Sequence, residues 1–260
     1  MIDRAREAAL DAARAAGAIA LGYFRGDLDV ALKADRTPVT RADREAEAAI
    51  VARLGSAFPD IGFLGEEFGA QGGQARRWIV DPVDGTKNFV RGLPYWATLI
   101  ALEEEGEVTL GVVHAPVTGD LFWAQRGQGA WANGVRLRVS SVARLEDAMV
   151  VHSSLNLLRP LEGGRYWDGF VRLVDRTDRQ RGFGDYFGYT VVLRGQAECM
   201  LEADIKPWDI APFKVLFEEA GGRLTDFAGR PTIYSGTVLA SNGRLHEAVR
   251  ALLAGPAPAT

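Results

Sequence analysis

The chain has 260 residues, 47% apolar and 25% charged, enough to bury a sizeable core in one large domain or two modest ones. Its formal net charge is −4 with Lys and Arg scattered, so neither nucleic acid nor an anionic membrane is the expected partner. The single cysteine, Cys199, excludes an intrachain disulfide and fits a reducing cytoplasm. It lies in the apolar-alternating run 197–201 and reads as core. The N-terminus has no apolar signal segment, and Asp3, Glu7 and Asp11 are acids that transit peptides avoid. No apolar run reaches membrane-spanning length.

Ile2, Ala5, Ala9, Ala13, Ala16, Ala20 and Phe24 recur at helical spacing and predict an amphipathic helix over 2–25. Residues 26–39 are polar, end in Thr37-Pro38, and read as a loop. Thr40 is the expected N-cap of a second helix reaching about Phe58. A turn at 59–61 leads through Ile61, Phe63 and Leu64 into Gly65-Glu66-Glu67, and 71–75 reads as a Gly-rich loop. Trp78, Ile79 and Val80 form a short buried strand that breaks into a turn at Asp81-Pro82-Val83-Asp84-Gly85-Thr86. Strands follow over 95–102 and 108–114, joined by an acidic turn, then over 121–124. Asn133-Gly134 signals a hairpin into a strand over 135–139.

Around residue 140 the pattern changes to strands alternating with helices. Strands are expected at 148–152, 197–202, 223–226 and 238–240. Helices are expected at 167–177, 184–194 and 208–220, the last stopped by Gly221-Gly222. Residues 155–165 read as a loop. Pro212 is expected to be tolerated as part of a first helical turn, whose amides have no intrahelical acceptor. Asn242 can cap a final helix to Leu253, and the tail 255–260 is expected to be disordered.

The stretch 78–89 organises the chemistry. Two carboxylates three residues apart, Asp81 and Asp84, can point into one cavity where the strand breaks, beside the exposed amides of Gly85 and Thr86. Hard oxygen ligands suit Mg²⁺, and exposed amides at a turn suit phosphate. Asp-Pro and Asp-Gly are also ordinary turn dipeptides. Other carboxylates sit at breaks as well: Glu66 and Glu67, Asp43, and Asp209. Each alone has a structural reading, as a solvated pair, an acid in a first helical turn, or an acidic helix cap.

Taken in order, G-E-E at 65–67, W-I-V-D-P-V-D-G-T at 78–86, and W-D with E-A-G-G at 208–209 and 219–222 resemble the inositol monophosphatase family. G-V-V at 111–113, R-G-x-G-A at 126–130 and N-G at 133–134 extend the resemblance along most of the chain. It implies that Glu66, Asp81 and the Val83 carbonyl hold one Mg²⁺, and that Asp81, Asp84 and Asp209 hold a second. Glu66 would reach a third, weakly held ion, giving two or three per site. Thr86, hydrogen-bonded toward Asp43, would orient the attacking water, so that Glu66, Thr86 and Asp43 form the catalytic group. Gly85 and Thr86 would cradle phosphate. Lys33 and Glu67 would belong to the accessory loops near the metals. Substrate contacts are implied for Asp84, Gly184, Asp185, Glu202 and Asp209.

Within the family, D-G-T-K-N-F-V-R-G with Lys87, W-A-T-L-I-A-L at 96–102, G-D-Y-F at 184–187 and I-K-P-W-D at 205–209 resemble the histidinol-phosphate phosphatase branch. Histidinol phosphate carries an ammonium and an imidazole, which inositol phosphate lacks. Asp185 and Glu202 could pair with that ammonium, and Tyr186 and Trp208 could flank the imidazole. Asp185 could equally be a helix N-cap, and Glu202 and Trp208 also match inositol-type members.

The expected fold is a layered αβαβα sandwich, with an N-terminal α+β half (1–140) and a C-terminal α/β half (141–260) contributing Asp209 and substrate contacts. The expected reaction is Mg²⁺-dependent hydrolysis of a small phosphate monoester. L-histidinol phosphate in histidine biosynthesis leads, and myo-inositol 1-phosphate or related alcohols follow. A bisphosphate fits less well, with no obvious basic pocket for a second phosphate. The reading from another class is a non-catalytic, RNA-linked regulatory binding protein, against which the intact ligand set and acidic balance argue. The resemblance further implies a homodimer, and the cysteine usage a cytoplasmic protein.

Overall fold

The computed structural model describes residues 2–26, 30–32 and 38–255. Lys33 and the tail from residue 256 lie outside the described residues. The chain opens on α1 (Ile2–Tyr23), whose Ala5, Ala9, Ala12, Ala13, Ala16 and Ala20 are all buried. This stripe of small side chains lets α2 (Arg41–Ala57) lie close along it. Between the two helices, β1 (Val30–Leu32) and β2 (Pro38–Thr40) pair antiparallel, with Val30 opposite Thr40. The sequence predicted only loop here. The β-branched Val30, Val39 and Thr40 tolerate extended backbone despite their polar surroundings. Thr40 is the N-cap of α2, as expected: its hydroxyl accepts the Ala42 amide at 3.1 Å.

The first sheet contains β3 (Gly62–Gly65), β4 (Gly69–Gln71), β5 (Arg76–Asp84), β6 (Ala97–Glu104), β7 (Glu107–Ala115), β8 (Asp120–Gln125), β9 (Gly129–Ala132) and β10 (Val135–Arg136). A short helix, α3 (Thr86–Val90), interrupts it. The strand order is β10-β9-β8-β7-β6-β5-β3-β4, antiparallel except where β3 runs parallel to β5. A second set follows: β11 (Met149–His152), α4 (Leu155–Leu158), α5 (Arg165–Val174), β12 (Arg179–Gly182), α6 (Asp185–Leu193), β13 (Cys199–Ala203), α7 (Pro207–Ala220), β14 (Arg223–Thr225), β15 (Thr237–Ser241) and α8 (His246–Ala254). Its sheet runs β12-β11-β13-β15-β14, with β11, β12 and β13 parallel.

Strand alternation sets the layers. On β5, Trp78 and Val80 face α1 and α2 together with Ile100 and Leu102. Ile79 faces the other way, with Leu99 and Val113, into a core shared with Tyr189 of α6 and with Phe213 and Phe217 of α7. The same core receives Met200, Val238 and Ala240 from the second sheet. Cys199, Leu201 and Leu239 point to the opposite face, onto Phe170 of α5 and Leu253 of α8. The result is the expected αβαβα sandwich. Among the described residues no helix is long and apolar enough to cross a membrane.

Several expectations change in detail. The loop expected at 155–165 contains α4 and a short 3₁₀ turn at Leu161–Gly164. The edge strand β12 was invisible because its Arg-Gln-Arg-Gly carries no apolar alternation. The strand expected to reach residue 139 ends at Arg136, and the Val139 amide instead donates to the Ala220 carbonyl. Pro212 is the sixth residue of α7, beyond the first turn, so its ring removes the helical donor of the Trp208 carbonyl.

Two contacts fix α7 between the sheets. The Glu219 carboxylate accepts the amides of Gly127 and Gly129 at 2.7 Å each, tying the end of the helix to the β8–β9 turn. Gly111 on β7 lies against the helix itself. A Cβ at that position would stand 2.5 Å from the Pro212 carbonyl oxygen and 2.8 Å from its Cα. Gly111→Ala is therefore expected to destabilise the fold by roughly 1–3 kcal/mol. It should lower the urea midpoint with the m-value unchanged, and an unchanged midpoint would mean that α7 can retreat freely.

Candidate active site

Asp81 and Asp84 lie three residues apart, so a regular strand would send them to opposite faces. The strand is not regular. Asp81 is paired with Leu99 but Asp84 with Ala97, so Pro82 and Val83 together oppose Thr98. This β-bulge returns Asp84 to the face of Asp81. Proline is tolerated at a bulge because the missing amide breaks no ladder bond, and the Thr98 hydroxyl donates to the Pro82 carbonyl at 2.9 Å. The predicted turn at Asp81 is thus a kink within a strand that continues to Asp84.

The parallel pairing of β3 with β5 supplies the next carboxylate. Gly65 stands opposite Val80, and the Glu66 amide donates to the Val80 carbonyl at 3.2 Å, which places Glu66 beside Asp81. Asp209 arrives from the other side as the third residue of α7, its Oδ2 accepting the Lys206 amide at 2.7 Å. Carboxylate oxygens of Asp81, Asp84 and Asp209 all lie within 4.8 Å of one another. Asp81 is 2% and Asp84 6% exposed.

Burial and neighbouring acids raise the pKa of Asp81, Asp84 and Asp209. Burial, then the charges of Glu66, Asp84 and Asp209, hold the Asp81 carboxyl well above the ordinary carboxylate range. Burial, then Asp185 and Asp209, do the same to Asp84. Asp209 is pushed up to about 8, chiefly by burial. The charged side chains acting most strongly on all three are acids. A buried all-oxygen cluster of this kind is costly without a cation, and its hard donors fit a divalent ion.

Beside the cluster, Gly85 adopts φ 84° as the N-cap of α3, and a Cβ there would stand 2.8 Å from the Tyr95 carbonyl oxygen. The first-turn amides of α3 have no intrahelical acceptor. The Thr86 hydroxyl lies 3.2 Å from Asp43 Oδ1 and 3.0 Å from the Val83 carbonyl. With one proton it donates to only one of them at a time. Asp43 is fully buried, and its Oδ2 accepts the Thr40 amide at 2.8 Å and the Thr40 hydroxyl at 2.6 Å. Burial raises its pKa, the Thr40 bonds opposing the shift. Phe24, Phe89 and Trp96 pack beneath with ring centroids 5.0–5.6 Å apart, and Val83 belongs to the same cluster.

The parallel strands β11, β12 and β13 end on this side, where open α/β sheets bind ligands. Gly184, not Asp185, is the N-cap of α6, so the capping reading of Asp185 does not hold. Asp185 sits at φ 54° and its Oδ2 accepts Asn88 Nδ2 at 2.8 Å. Its carboxyl is raised by burial, against the pull of Asn88 and the positive charge of Lys87. The Tyr186 amide donates to Asp84 Oδ2 at 2.6 Å. Glu202 shares the face of Met200 and accepts the Tyr189 hydroxyl. Burial and the charge of Asp185 push it to about 7. Glu67 is half-buried in the turn after β3.

Tyr186 does not flank a ligand: its ring is 1% exposed inside the shared core. Trp208 is partly buried against the same core. Two contributors were missed from the sequence. Asn88 fastens Asp185 to the Tyr95 carbonyl, and it stood unremarked in the D-G-T-K-N-F string. Tyr189, a buried aromatic on a helix, gave no signal beyond core.

A carboxyl with a raised folded-state pKa stabilises the fold below its unfolded value, and that contribution is lost as pH rises through the folded value. With EDTA present, the Asp209 contribution should therefore be lost between about pH 4 and about pH 8. A divalent cation displaces these protons, so the rise in Tm on adding Mg²⁺ should grow with pH. A Tm increment independent of pH would argue against a cation bound by these carboxyls.

Residues 1–255 match the family model described as the inositol monophosphatase family. A histidinol-phosphatase of Mycobacterium tuberculosis is 45% identical over 86% of this chain and 87% of its own length. One from Streptomyces coelicolor is 43% identical over 90% and 91%. The crystal structure of the extragenic suppressor protein SuhB from Bartonella henselae superposes with a TM-score of 0.87 at 33% identity, covering 95% of this chain and 97% of that one. With its bulged Asp-Pro-Val-Asp strand, its acidic cluster and these matches, the chain belongs to the inositol monophosphatase family.

Proposed function

We propose that this protein hydrolyses L-histidinol phosphate, with Mg²⁺ as its cation. The observation that carries this reading is the acidic group beyond the metal cluster. Asp185 and Glu202 stand within electrostatic reach of Asp84 and Asp209, so negative charge extends past the three carboxylates that would hold cations. An ester whose far end carries an ammonium suits that rim, whereas a neutral polyol leaves it uncompensated. The names of the two histidinol-phosphatases, more than two-fifths identical over most of their lengths, support the same substrate.

In this reading Glu66, Asp81, Asp84, Asp209 and the Val83 carbonyl would hold two or three divalent cations. Bound there, the ions supply charge neutralisation at the phosphoryl group and acidify the attacking water. The chain itself does the positioning. Thr86 Oγ1 donates to Asp43 Oδ1 and presents its lone pairs to the water. The amides of Gly85 and Thr86, at the start of α3, would donate to phosphoryl oxygens. Asp43, buried and held through its other oxygen by Thr40, keeps the hydroxyl in that orientation. Water attacks phosphorus in line, the bond to the substrate's alcohol oxygen breaks, and that oxygen leaves protonated.

Phosphate release from L-histidinol phosphate and myo-inositol 1-phosphate, with Mg²⁺ and with EDTA, tests the reading directly. A kcat/KM preference for histidinol phosphate that EDTA abolishes is expected, and a preference for inositol phosphate overturns the substrate. Asp84→Asn should lower kcat by about 100-fold or more while far-UV circular dichroism stays unchanged, because it removes a ligand charge rather than a core contact. Wild-type turnover by that variant would remove Asp84 from the metal set. Asp185→Asn keeps a residue that accepts positive φ but deletes the charge. It should cost about 10- to 100-fold in kcat/KM on histidinol phosphate, the loss of about 1.5–3 kcal/mol from a charged hydrogen bond. Inositol phosphate turnover should change far less, and equal losses would make Asp185 structural.

A further inference from the structure

Glu47 is a buried carboxylate on α2, 1% exposed, with no part in the chemistry described so far. It accepts the Glu67 amide at 2.8 Å through Oε2 and the Phe68 amide at 3.1 Å through Oε1. Both amides belong to the turn between β3 and β4, immediately after Glu66. A carboxylate that takes two consecutive amides fixes the local backbone far more tightly than either bond alone. The opposite wall of this contact is Gly65, where a Cβ would stand 1.9 Å from Glu47 Oε1. The glycine of the G-E-E string is therefore needed to admit the carboxylate. On the other side of Glu66 its own amide is fastened to the Val80 carbonyl. The backbone carrying Glu66 is thus clamped from both flanks, by β5 before it and by Glu47 after it.

We infer that Glu47 is a positioning residue for the divalent cation, acting through the 65–68 turn to hold Glu66 beside Asp81. The inference rests on the assignment of Glu66 to the metal set. A turn held in one conformation before the ion binds reduces what binding must order, so the contact acts on cation affinity as well as on stability. Gln at position 47 retains one acceptor oxygen but turns an NH₂ group toward the second amide, so it breaks half of the clamp with almost no change in volume.

The test is Mg²⁺ titration by calorimetry of the wild-type protein, Glu47→Gln, Gly65→Ala and Glu66→Gln, with urea unfolding of each in EDTA. Glu47→Gln and Gly65→Ala, which disturb the same contact from its two sides, should each weaken Mg²⁺ binding by about 10- to 100-fold. A Glu47→Gln variant that loses stability in EDTA but binds Mg²⁺ like the wild type overturns the proposal. If Glu66→Gln leaves Mg²⁺ binding unchanged, the assignment of Glu66 fails, whereas if only Glu66→Gln weakens it, Glu47 alone is excluded. Hydrogen exchange on the unmodified protein gives a reading that needs no variant. The Glu67 and Phe68 amides should be protected in EDTA, and rapid exchange at both would show that no clamp exists before the ion arrives.

Discussion

The site depends on one extra residue in β5. Asp81 and Asp84 would face opposite sides of the first sheet in any regular strand. The bulge at Pro82–Val83 puts both carboxylates on the face toward α6 and α7. Everything else converges on that face. Parallel pairing with β3 delivers Glu66, the first turn of α7 delivers Asp209, and the Tyr186 amide of α6 receives Asp84. Without the bulge the same residues would be split between a helix-covered core and a second buried layer, where a lone carboxylate has no partner.

The layered architecture makes such a concentration of charge tolerable. Middle-layer helices α6 and α7 both begin at this edge, so their first-turn amides and capping residues meet the carboxylates while their apolar bodies fill the shared core. Tyr186 illustrates the division: its amide serves Asp84 and its ring serves the core. The remaining cost is electrostatic. Burial raises Asp81, Asp84, Asp185, Glu202 and Asp209 together, and repulsion from neighbouring acids adds to it at all of them except Asp185. A buried site that holds this many acids is poised for cations.

The rigid parts of the site are held at second hand. Asn88 joins Asp185 to the Tyr95 carbonyl, Thr40 holds the Asp43 carboxylate, and Glu47 holds the turn after Glu66. Phe24, Phe89 and Trp96 form one apolar cluster with Val83 of the bulge. Because these supports come from β2, α2, α3 and the segments just after α1 and just before β6, the acidic side chains are fixed relative to several layers at once.

The sequence by itself determined the family resemblance, the expected ligand set and most elements. Those signals are local: ordered motifs, helical periodicity over α1 and α2, and turn residues at fixed spacing. The capping of α2 by Thr40 and the core position of Cys199 were legible for the same reason. What only tertiary structure decided depends on register and on long-range approach. The bulge is defined by its pairing with Thr98, which no one-strand pattern contains. Whether Asp185 caps its helix was open until the backbone placed Gly184 at the cap and left Asp185 bonded to Asn88. Tyr186 read as a ligand-facing aromatic because helix spacing does not say which face a neighbouring sheet covers. Glu47 and Tyr189 gave no signal, since a buried acid and a buried phenol become interpretable only when the partner, far along the chain, is in place.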